Sequence, residues 1–242
     1  MQTKEFLSAE WRFLAMINYE VDPDILQPLV PRGTELDSWQ GKTFVSEVGF
    51  LFLNTKLMGV PIPFHRNFEE INLRFYVRRK AEDGWRRGVV FVKEIVPRLA
   101  IATVARIIYN ENYVARRMWH GTDLTGISLI KSGMVEYGWL ETSGRNYLRV
   151  KTMGEPMQLE TGSEEEFITE HYWGYASQRD GGTIEYKVEH PPWRIWQVGE
   201  AEFECDVENV YGGQFAESLR VKPSSAFVAE GSPIIVRKGV RL

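Results

Sequence analysis

The sequence predicts a β-rich fold in one domain covering residues 1–242, closed or nearly closed into a barrel. Short runs in which apolar and polar residues alternate recur along the 242 residues, which is typical of strands. Several pairs of these runs flank turn signals, among them Asp83-Gly84 and Ser143-Gly144, that favour β-hairpins. Helix-like segments are few and short, and many short strands with few helices are the pattern of β-sandwiches and barrels.

The composition fits a globular protein with a large core and a mild charge. Hydrophobic residues make up 43% of the chain and aromatic residues 13%, and the formal net charge is -4. These values exclude bulk disorder and argue against a nucleic-acid partner. Cys205 is the single cysteine, as expected in a reducing compartment. Because the N-terminal residues resemble no signal peptide and the run Val48–Leu53 is too short to cross a bilayer, we expect a cytoplasmic protein without a membrane partner.

The first fifty residues predict a strand, a short helix and a hairpin. Trp11–Tyr19 has the pattern of a strand. Asp22 followed by proline predicts a helix N-cap with proline at the first helical position, and hence a short helix ending near Leu29. Thr34–Trp39 and Thr43–Leu53, separated by a turn signal, predict a hairpin.

The C-terminal half predicts more strands and two short helices. Ser163 with Glu166 three residues later is a capping box, which predicts a helix to about Tyr172. A second short helix is expected near either Val207–Tyr211 or Gly213–Leu219. The predicted strands are Met134–Glu141, Tyr147–Met153, a pair around Asp180-Gly181-Gly182 that ends in Tyr186–His190, Trp193–Glu204 and Ser232–Val240.

The central hairpin, Ile71–Arg78 and Gly88–Val96, is where the sequence places charge inside an apolar pattern. With a two-residue turn at Asp83-Gly84, Leu73 pairs with Glu94 and Phe75 with Val92. Period-two alternation then puts Glu69 and Glu94 on the apolar face, where an ionised carboxylate needs a partner. A one-residue slip in register would turn Glu94 to the opposite face.

An apolar segment after this hairpin, Leu99–Tyr109, predicts a buried helix. Arg106 is the one charge inside it, and we expect it to pair with Glu94. Two interpretations stay open: a structural ion pair, or a charged group aimed into a ligand cavity.

The leading hypothesis for function is therefore that the protein binds a small, partly apolar organic molecule in an internal cavity. Organic acids are among the candidate ligands. Whether the protein transforms this ligand stays open, and no catalytic residue is assigned. The alternative is a non-catalytic interaction module whose barrel is filled by its own side chains. The candidate ligand-binding residues share a place on or beside the central hairpin: His65, Glu69, Glu94, Arg98, Arg106, Tyr109 and Tyr113.

Other charged or histidine-containing motifs have simpler explanations. His65 before Glu69 and Glu70 is better explained as a loop histidine than as a metal ligand. Glu166, Glu170 and His171 fit the solvated face of a helix, and His190-Pro-Pro-Trp193 fits a strand-edge kink that packs an aromatic ring.

No cofactor, metal or nucleic acid is expected. The sequence contains no P-loop, GxGxxG or CxxC motif and no Ser–His–Asp order. Basic residues beside Trp85 at the hairpin tip could bind single-stranded nucleic acid, but a solubilising tip explains them more simply. These are Arg78, Arg79, Lys80, Arg86 and Arg87.

Several blocks in order resemble the uncharacterised YqjF-like family over roughly the whole chain. They include RFLAMINYEVDPDILQPLVPRGTELD, PIPFHRNFEEINLRFYVR, RRGVVFVKEIV, ARIIYNENYVARRM and EEEFITEHYWGYASQRDGG. That family is grouped by fold with acetoacetate decarboxylase. The resemblance implies a cone-like antiparallel β-barrel with helices at its rim and an internal cavity, and it implies no established activity.

The residues that resemble the decarboxylase do not include its catalytic lysine. That enzyme uses a Schiff-base lysine in a Tyr-Pro-Lys-Lys run that follows a strand. Here the strand reads Val92-Lys93-Glu94 and the nearest loop Tyr109-Asn110-Glu111-Asn112, with no lysine between Lys93 and Lys131. Because Asn or Glu cannot form a Schiff base, we expect that this activity is not inherited.

Overall fold

A computed structural model describes residues 4–98, 110, 112–124 and 133–242. These residues form one 15-stranded sheet with a few short helices, so the predicted mainly β class is confirmed. The strands are β1 (Glu5–Val21), β2 (Glu35–Leu36), β3 (Thr43–Leu57), β4 (Val60–Pro61), β5 (Phe68–Ala81), β6 (Gly84–Val96), β7 (Tyr113–Ala115), β8 (Met118–Asp123), β9 (Met134–Glu141), β10 (Gly144–Met157), β11 (Trp173–Ser177), β12 (Thr183–Glu189), β13 (Ile195–Glu204), β14 (Ser225–Arg237) and β15 (Val240–Arg241). The helices are α1 (Pro23–Leu26), α2 (Glu164–Thr169) and α3 (Val207–Val210), and 3₁₀ turns span Gln27–Leu29 and Gly213–Phe215.

Seven strands close into a ring in the order β12-β11-β6-β5-β3-β1-β14, because β12 also pairs with β14. From β14 the sheet continues through β13, β10, β9 and β8, and this extension packs against the outside of the ring. Most pairings are antiparallel, but β6 pairs in parallel with both β7 and β11. The all-antiparallel expectation is thus wrong at these two places, since hairpin signals report only neighbours joined by short turns.

Both faces of the ring strands are buried, so the fold has two cores. Ile71, Leu73 and Phe75 of β5 point outward and pack with Tyr137 and Trp139 of β9. Tyr76, Val89, Phe50 and other residues of the opposite face point into the ring. The alternation of the sequence therefore separates two interiors rather than an interior and a solvent face.

Of the two elements predicted after the first strand, the short helix is confirmed and the hairpin is wrong. The helix after Asp22 is confirmed, since its side chain accepts a hydrogen bond from the Asp24 backbone N–H at 2.9 Å and Pro23 is the first helical residue. The predicted hairpin of Thr34–Trp39 is wrong, because β2 pairs with β5 and only an isolated bridge joins Trp39 to Lys42. The segment follows β5 further, where the Asp37 N–H donates to the Tyr76 carbonyl at 3.0 Å.

Several later elements lie where the sequence predicts them, but the strand predicted at Ser232–Val240 is β14, which runs from Ser225 to Arg237. The hairpin β9–β10 turns at Ser143, and the pair β11–β12 flanks Gly181. Helix α2 begins after Ser163, whose hydroxyl accepts the Glu166 N–H at 3.1 Å, but it ends at Thr169 and not near Tyr172.

The register of the central hairpin differs from the prediction in two ways. Residues 82 and 83 form the turn, since Ala81 pairs with Gly84 and Phe75 with Val90. This change moves the pairing by an even number of positions and leaves every side chain on its predicted face. A β-bulge between Leu73 and Arg74 then adds one residue to β6, so that Glu94 pairs with Asn72 and not with Leu73. The bulge turns Glu94 from the outer face of the ring to its inner face.

Ion pairs hold the hairpin tip against β12 and correct the expectation of a solvated basic tip. Glu185 of β12 is 1% exposed and accepts hydrogen bonds from Arg79 at 2.6 Å and from Arg86 at 2.6 Å. Arg87 pairs with the buried Asp37 at 2.7 Å, and Arg78 pairs with Glu35 at 2.8 Å. The tip arginines therefore help to close the ring and are largely engaged within the fold.

No helix in the described part of the chain is long and apolar enough to span a membrane.

Candidate functional site

The inside of the ring encloses a cavity of about 270 Å³. Each of the seven ring strands contributes at least one side chain to its wall. The walls are rich in aromatic side chains that pack against one another. Phe52 stacks on Phe68 with centroids 4.7 Å apart, and Trp11 packs edge-on against Phe50 at 5.3 Å and Trp193 at 6.3 Å. Interlocked rings of this kind form a rigid apolar surface.

A strip of polar side chains crosses this apolar wall along β5. Glu70, Asn72 and Arg74 occupy alternate positions and therefore share the inner face. The bulge brings Glu94 of β6 opposite Asn72, and Tyr113 of β7 lies beside Glu94 in the parallel pair. All five of these residues line the cavity.

At the acidic end of the strip, the carboxyl groups of Glu70 and Glu94 both contact the phenol group of Tyr113. The Tyr113 hydroxyl donates to Glu70 Oε2 at 3.2 Å and also hydrogen-bonds with Glu94. Asn72 Nδ2 donates to Glu70 Oε1 at 3.1 Å. Burial raises the pKa of Glu70 to about 7, against the opposing effects of the two hydrogen bonds and of the Arg74 charge. Burial and the two neighbouring carboxyl groups raise the pKa of Tyr113 well above its usual value.

The other end of the strip carries a buried cation. Arg74 is 9% exposed, and among the described residues no carboxylate lies within 4.0 Å of its guanidinium. Its neighbours are the Tyr76 hydroxyl at 3.4 Å, the Ile168 carbonyl at 3.4 Å and the Met16 sulfur at 3.8 Å. These contacts are long for hydrogen bonds, and neither they nor the Tyr76 ring, whose centroid lies 5.7 Å from Arg74 Cζ, carries a negative charge.

His171 supplies a neutral ring beside this cation. It follows the C-terminus of α2, where it packs on Tyr76 with ring centroids 4.6 Å apart. It is 7% exposed, and neither ring nitrogen has a hydrogen-bond partner among the described residues; Asp37 Oδ2 lies 3.6 Å away. Burial lowers the pKa of His171 to about 4, helped by Arg87 and Arg74 and opposed by Asp37. The expected solvated position on a helix face is wrong, because the helix ends two residues earlier and the chain turns inward.

The predicted site residues divide between the cavity and other places. His65, Glu94 and Tyr113 line the cavity. Glu69 faces the outside of the ring, where its Oε1 lies 2.6 Å from His120 Nδ1, so its predicted position beside Glu94 is wrong. Arg98 is exposed and is absent from the cavity lining. Arg106 and Tyr109, and with them the predicted Glu94–Arg106 pair, lie outside the described residues.

Several residues of the cavity were missed as site candidates: Asn72, Arg74, His171 and His190, with Glu70 treated only as a neighbour of His65. The signal for the first two was present, since polar residues at every second position of a strand mark one shared face. His190 does pack as expected for a strand-edge kink, with its ring stacked on Trp193 at 4.1 Å. In the described ranges no group of three or more His, Cys, Asp or Glu side chains is arranged to hold a metal ion.

Comparisons with known proteins agree with this architecture. The chain is 28% identical to the uncharacterized protein YqjF of Bacillus subtilis (strain 168) over 213 residues, which is 86% of this chain and 82% of YqjF. Its fold is similar to that of the enduracididine biosynthesis enzyme MppR in complex with pyruvate, with a TM-score of 0.68, 11% identity and coverage of 100% of this chain and 91% of MppR. It is also similar to the acetoacetate decarboxylase of Legionella pneumophila, with a TM-score of 0.66, 13% identity and coverage of 99% and 88%.

These likenesses confirm the fold expected from the resemblance, and at such low identity the two solved structures show the fold alone. The family model of DUF2071 matches residues 8–233. The chain therefore belongs to DUF2071, a family described as an uncharacterized conserved protein.

Proposed function

We propose that this protein binds a small organic acid with an apolar body inside the ring, and that Arg74 holds the carboxylate of this ligand. The single cysteine suits a reducing compartment, and we propose the cytoplasm as the site of binding.

The observation that carries the proposal is the uncompensated charge of Arg74. A buried guanidinium without a carboxylate partner is costly in a fold that has no use for it. Here it lines a cavity, and its planar fork of donors matches the two oxygens of a carboxylate. The unpartnered Nδ1 of His171 beside it offers a further hydrogen bond to the ligand.

The size and lining of the cavity support the apolar part of the proposal. A volume of about 270 Å³ is near the lower end of the ~300–1,000 Å³ range of small-molecule sites, which favours a short-chain or single-ring acid. The aromatic side chains around Arg74 offer such a ligand an apolar surface and few competing polar groups. The fold relative MppR is described in complex with pyruvate, a small 2-oxo acid, which agrees with an acid in a ring of this kind.

Schiff-base chemistry is not part of the proposal. The described lining of the cavity contains no lysine. Lys93, which precedes Glu94, lies on the outer side of the bulge, where its ammonium group donates to the Val210 carbonyl. An amine in that position cannot attack a carbonyl carbon held inside the ring.

A thermal-shift comparison of acids with their own amides tests the proposal. Hexanoate, 3-phenylpropanoate and 2-oxohexanoate are each compared with the matching primary amide, which has the same shape and no charge. We expect at least one acid to raise the Tm; at about 100 times its Kd the stabilisation is ~2.7 kcal/mol, or roughly 5–10 °C for a chain of this size. Its amide should have little effect.

The control variant is Arg149→Met, which removes a partly exposed arginine outside the cavity and should keep the acid response. Equal shifts from an acid and its amide, or no response to any acid, would contradict the proposal.

A further inference from the structure

We propose that the acidic end of the cavity is a proton-transfer site, in which Glu70 and Glu94, joined through Tyr113, act as base and acid on the C–H bond beside the carbonyl of a 2-oxo acid. This inference rests on the proposed binding of an acid at Arg74 and names the substrate class and the reaction at the same site.

Glu70 and Glu94 form a buried pair of carboxyl groups around the Tyr113 hydroxyl. Two carboxyl groups that are 3% and 1% exposed both contact one phenol oxygen. Two ionised carboxylates cannot share such a site without strong repulsion, so the pair keeps a proton near neutral pH. One member is then a base and the other an acid, as general acid–base catalysis requires. The raised pKa of Glu70, about 7, agrees with this arrangement.

Buried polar atoms other than the carboxyl oxygens also point to a ligand in this cavity. Asn72 is 1% exposed and its Oδ1 has no hydrogen-bond partner among the described residues, although its Nδ2 is bonded to Glu70. His171 Nδ1, at the cationic end, also lacks a partner there, whereas Nε2 lies 3.6 Å from Asp37 Oδ2. Buried polar atoms without partners are uncommon in folded proteins. These atoms belong to residues that line the same cavity and would be satisfied by a polar molecule inside it.

The two ends of the polar strip lie within the length of a small molecule. Arg74 and Glu70 are four residues apart on one face of β5, which is ~13 Å along a strand, and the Glu70 side chain bonds with Asn72, which lies between them. The guanidinium is close enough to lower the pKa of Glu70. A molecule whose carboxylate is bound at Arg74 therefore extends along the strip toward Asn72 and the two carboxyl groups.

The chemical step needs no cofactor and consumes no second substrate. The ionised carboxylate takes the proton from C3, and the C3–H electron pair forms the C2–C3 double bond. The electron pair of the C2 carbonyl moves onto its oxygen, which receives the proton of the neutral carboxyl group and gives an enol. The reverse sequence returns a proton to C3. In D₂O the proton held by the carboxyl group exchanges with the solvent before it is returned, so a deuteron is added to C3 and the C3 hydrogens are replaced by deuterium.

Proton NMR of 2-oxohexanoate in D₂O buffer measures this exchange directly. With the wild-type protein we expect the C3 signal to disappear at least ~100-fold faster than in buffer alone. Glu70→Gln should reduce the rate to that of buffer. Tyr113→Phe keeps the ring and removes the hydroxyl, and it should slow the exchange at least tenfold.

The matched control is Glu69→Gln, one residue away on the opposite face of β5, where the carboxylate contacts His120. This variant should exchange deuterium as fast as the wild type. If Glu70→Gln does not fold, as judged by its circular dichroism and Tm, the Tyr113→Phe rate decides the matter.

The outcomes separate this inference from the binding proposal. A 2-oxo acid that raises the Tm while its C3 hydrogens exchange only at the buffer rate would refute the proton-transfer site and leave acid binding intact. Equal losses of rate in Glu69→Gln and Glu70→Gln would also refute it. An absence of any acid-dependent Tm shift would remove the binding proposal on which it rests.

Discussion

Arg74→Met is expected to abolish acid binding and at the same time to raise the free energy of unfolding. Truncating a buried charged partner of a ligand costs ~2–5 kcal/mol of affinity, so the Kd should rise at least ~30-fold. Without a ligand, the variant replaces a buried and uncompensated cation by an apolar side chain of similar length. Because a buried charge without a carboxylate partner has a desolvation cost of several kcal/mol, we expect the variant to have a higher free energy of unfolding in urea.

Arg79→Met is the matched control on the same strand, because Arg79 has a buried partner. It donates to Glu185 at 2.6 and 3.1 Å. Its loss should reduce stability, by ~1–2 kcal/mol after allowance for its partial exposure and for Arg86, which still pairs with Glu185. If Arg74→Met destabilises the protein as much as Arg79→Met does, Arg74 has a structural role and the binding argument fails.

Glu70→Gln is expected to gain stability relative to the wild type as the pH rises. The pKa of Glu70 is about 7 in the folded protein, against the ordinary glutamate value of 4.5 that applies in the unfolded chain. Between these values the unfolded chain has released the proton and the folded protein retains it, so wild-type stability falls as pH rises from about 4.5 to about 7 and is level above that. Glutamine does not titrate. The difference between variant and wild type should therefore grow by ~3 kcal/mol between pH 4 and pH 8.

Urea unfolding of wild type, Glu70→Gln and Glu69→Gln at pH 4, 6 and 8 measures this difference. Glu69 is partly exposed and on the outer face, so its variant should follow the wild-type pH dependence closely. A constant difference between Glu70→Gln and wild type over this range would mean that Glu70 titrates normally in the fold. A stability gain on removing a site residue is the pattern expected where a protein keeps a costly group for its function.

The sequence predicted the local parts of this fold and missed the features that depend on distant contacts. The turns near Asp83, Ser143 and Gly181 were found because Gly, Asn, Asp and Ser favour tight turns for local reasons. The parallel pairing of β6 with β7 and β11 joins segments far apart in the chain, and no local signal reports it. The strand of residues 34–39 was paired with its neighbour in sequence, whereas β2 lies against β5.

The candidate site was predicted only in part, and one bulge accounts for much of the difference. Alternation placed Glu94 beside Leu73, whereas the extra residue in β6 turns it toward Asn72. Arg74 was not considered as a site residue, because strands with polar residues at every second position commonly face water on that side. In this ring both faces are buried, and the polar face is the one that lines the cavity. His171 was missed because its position depends on where α2 ends.

A crystal structure of the protein with the acid that gives the largest Tm shift tests the central claim most directly. We expect the ligand inside the ring, with both carboxylate oxygens ~2.7–2.9 Å from the guanidinium nitrogens of Arg74 and its apolar body against Trp11, Phe52 and Trp193. An acid bound only outside the ring, or a ring interior filled by the protein's own side chains, would contradict the account and favour a non-catalytic interaction module.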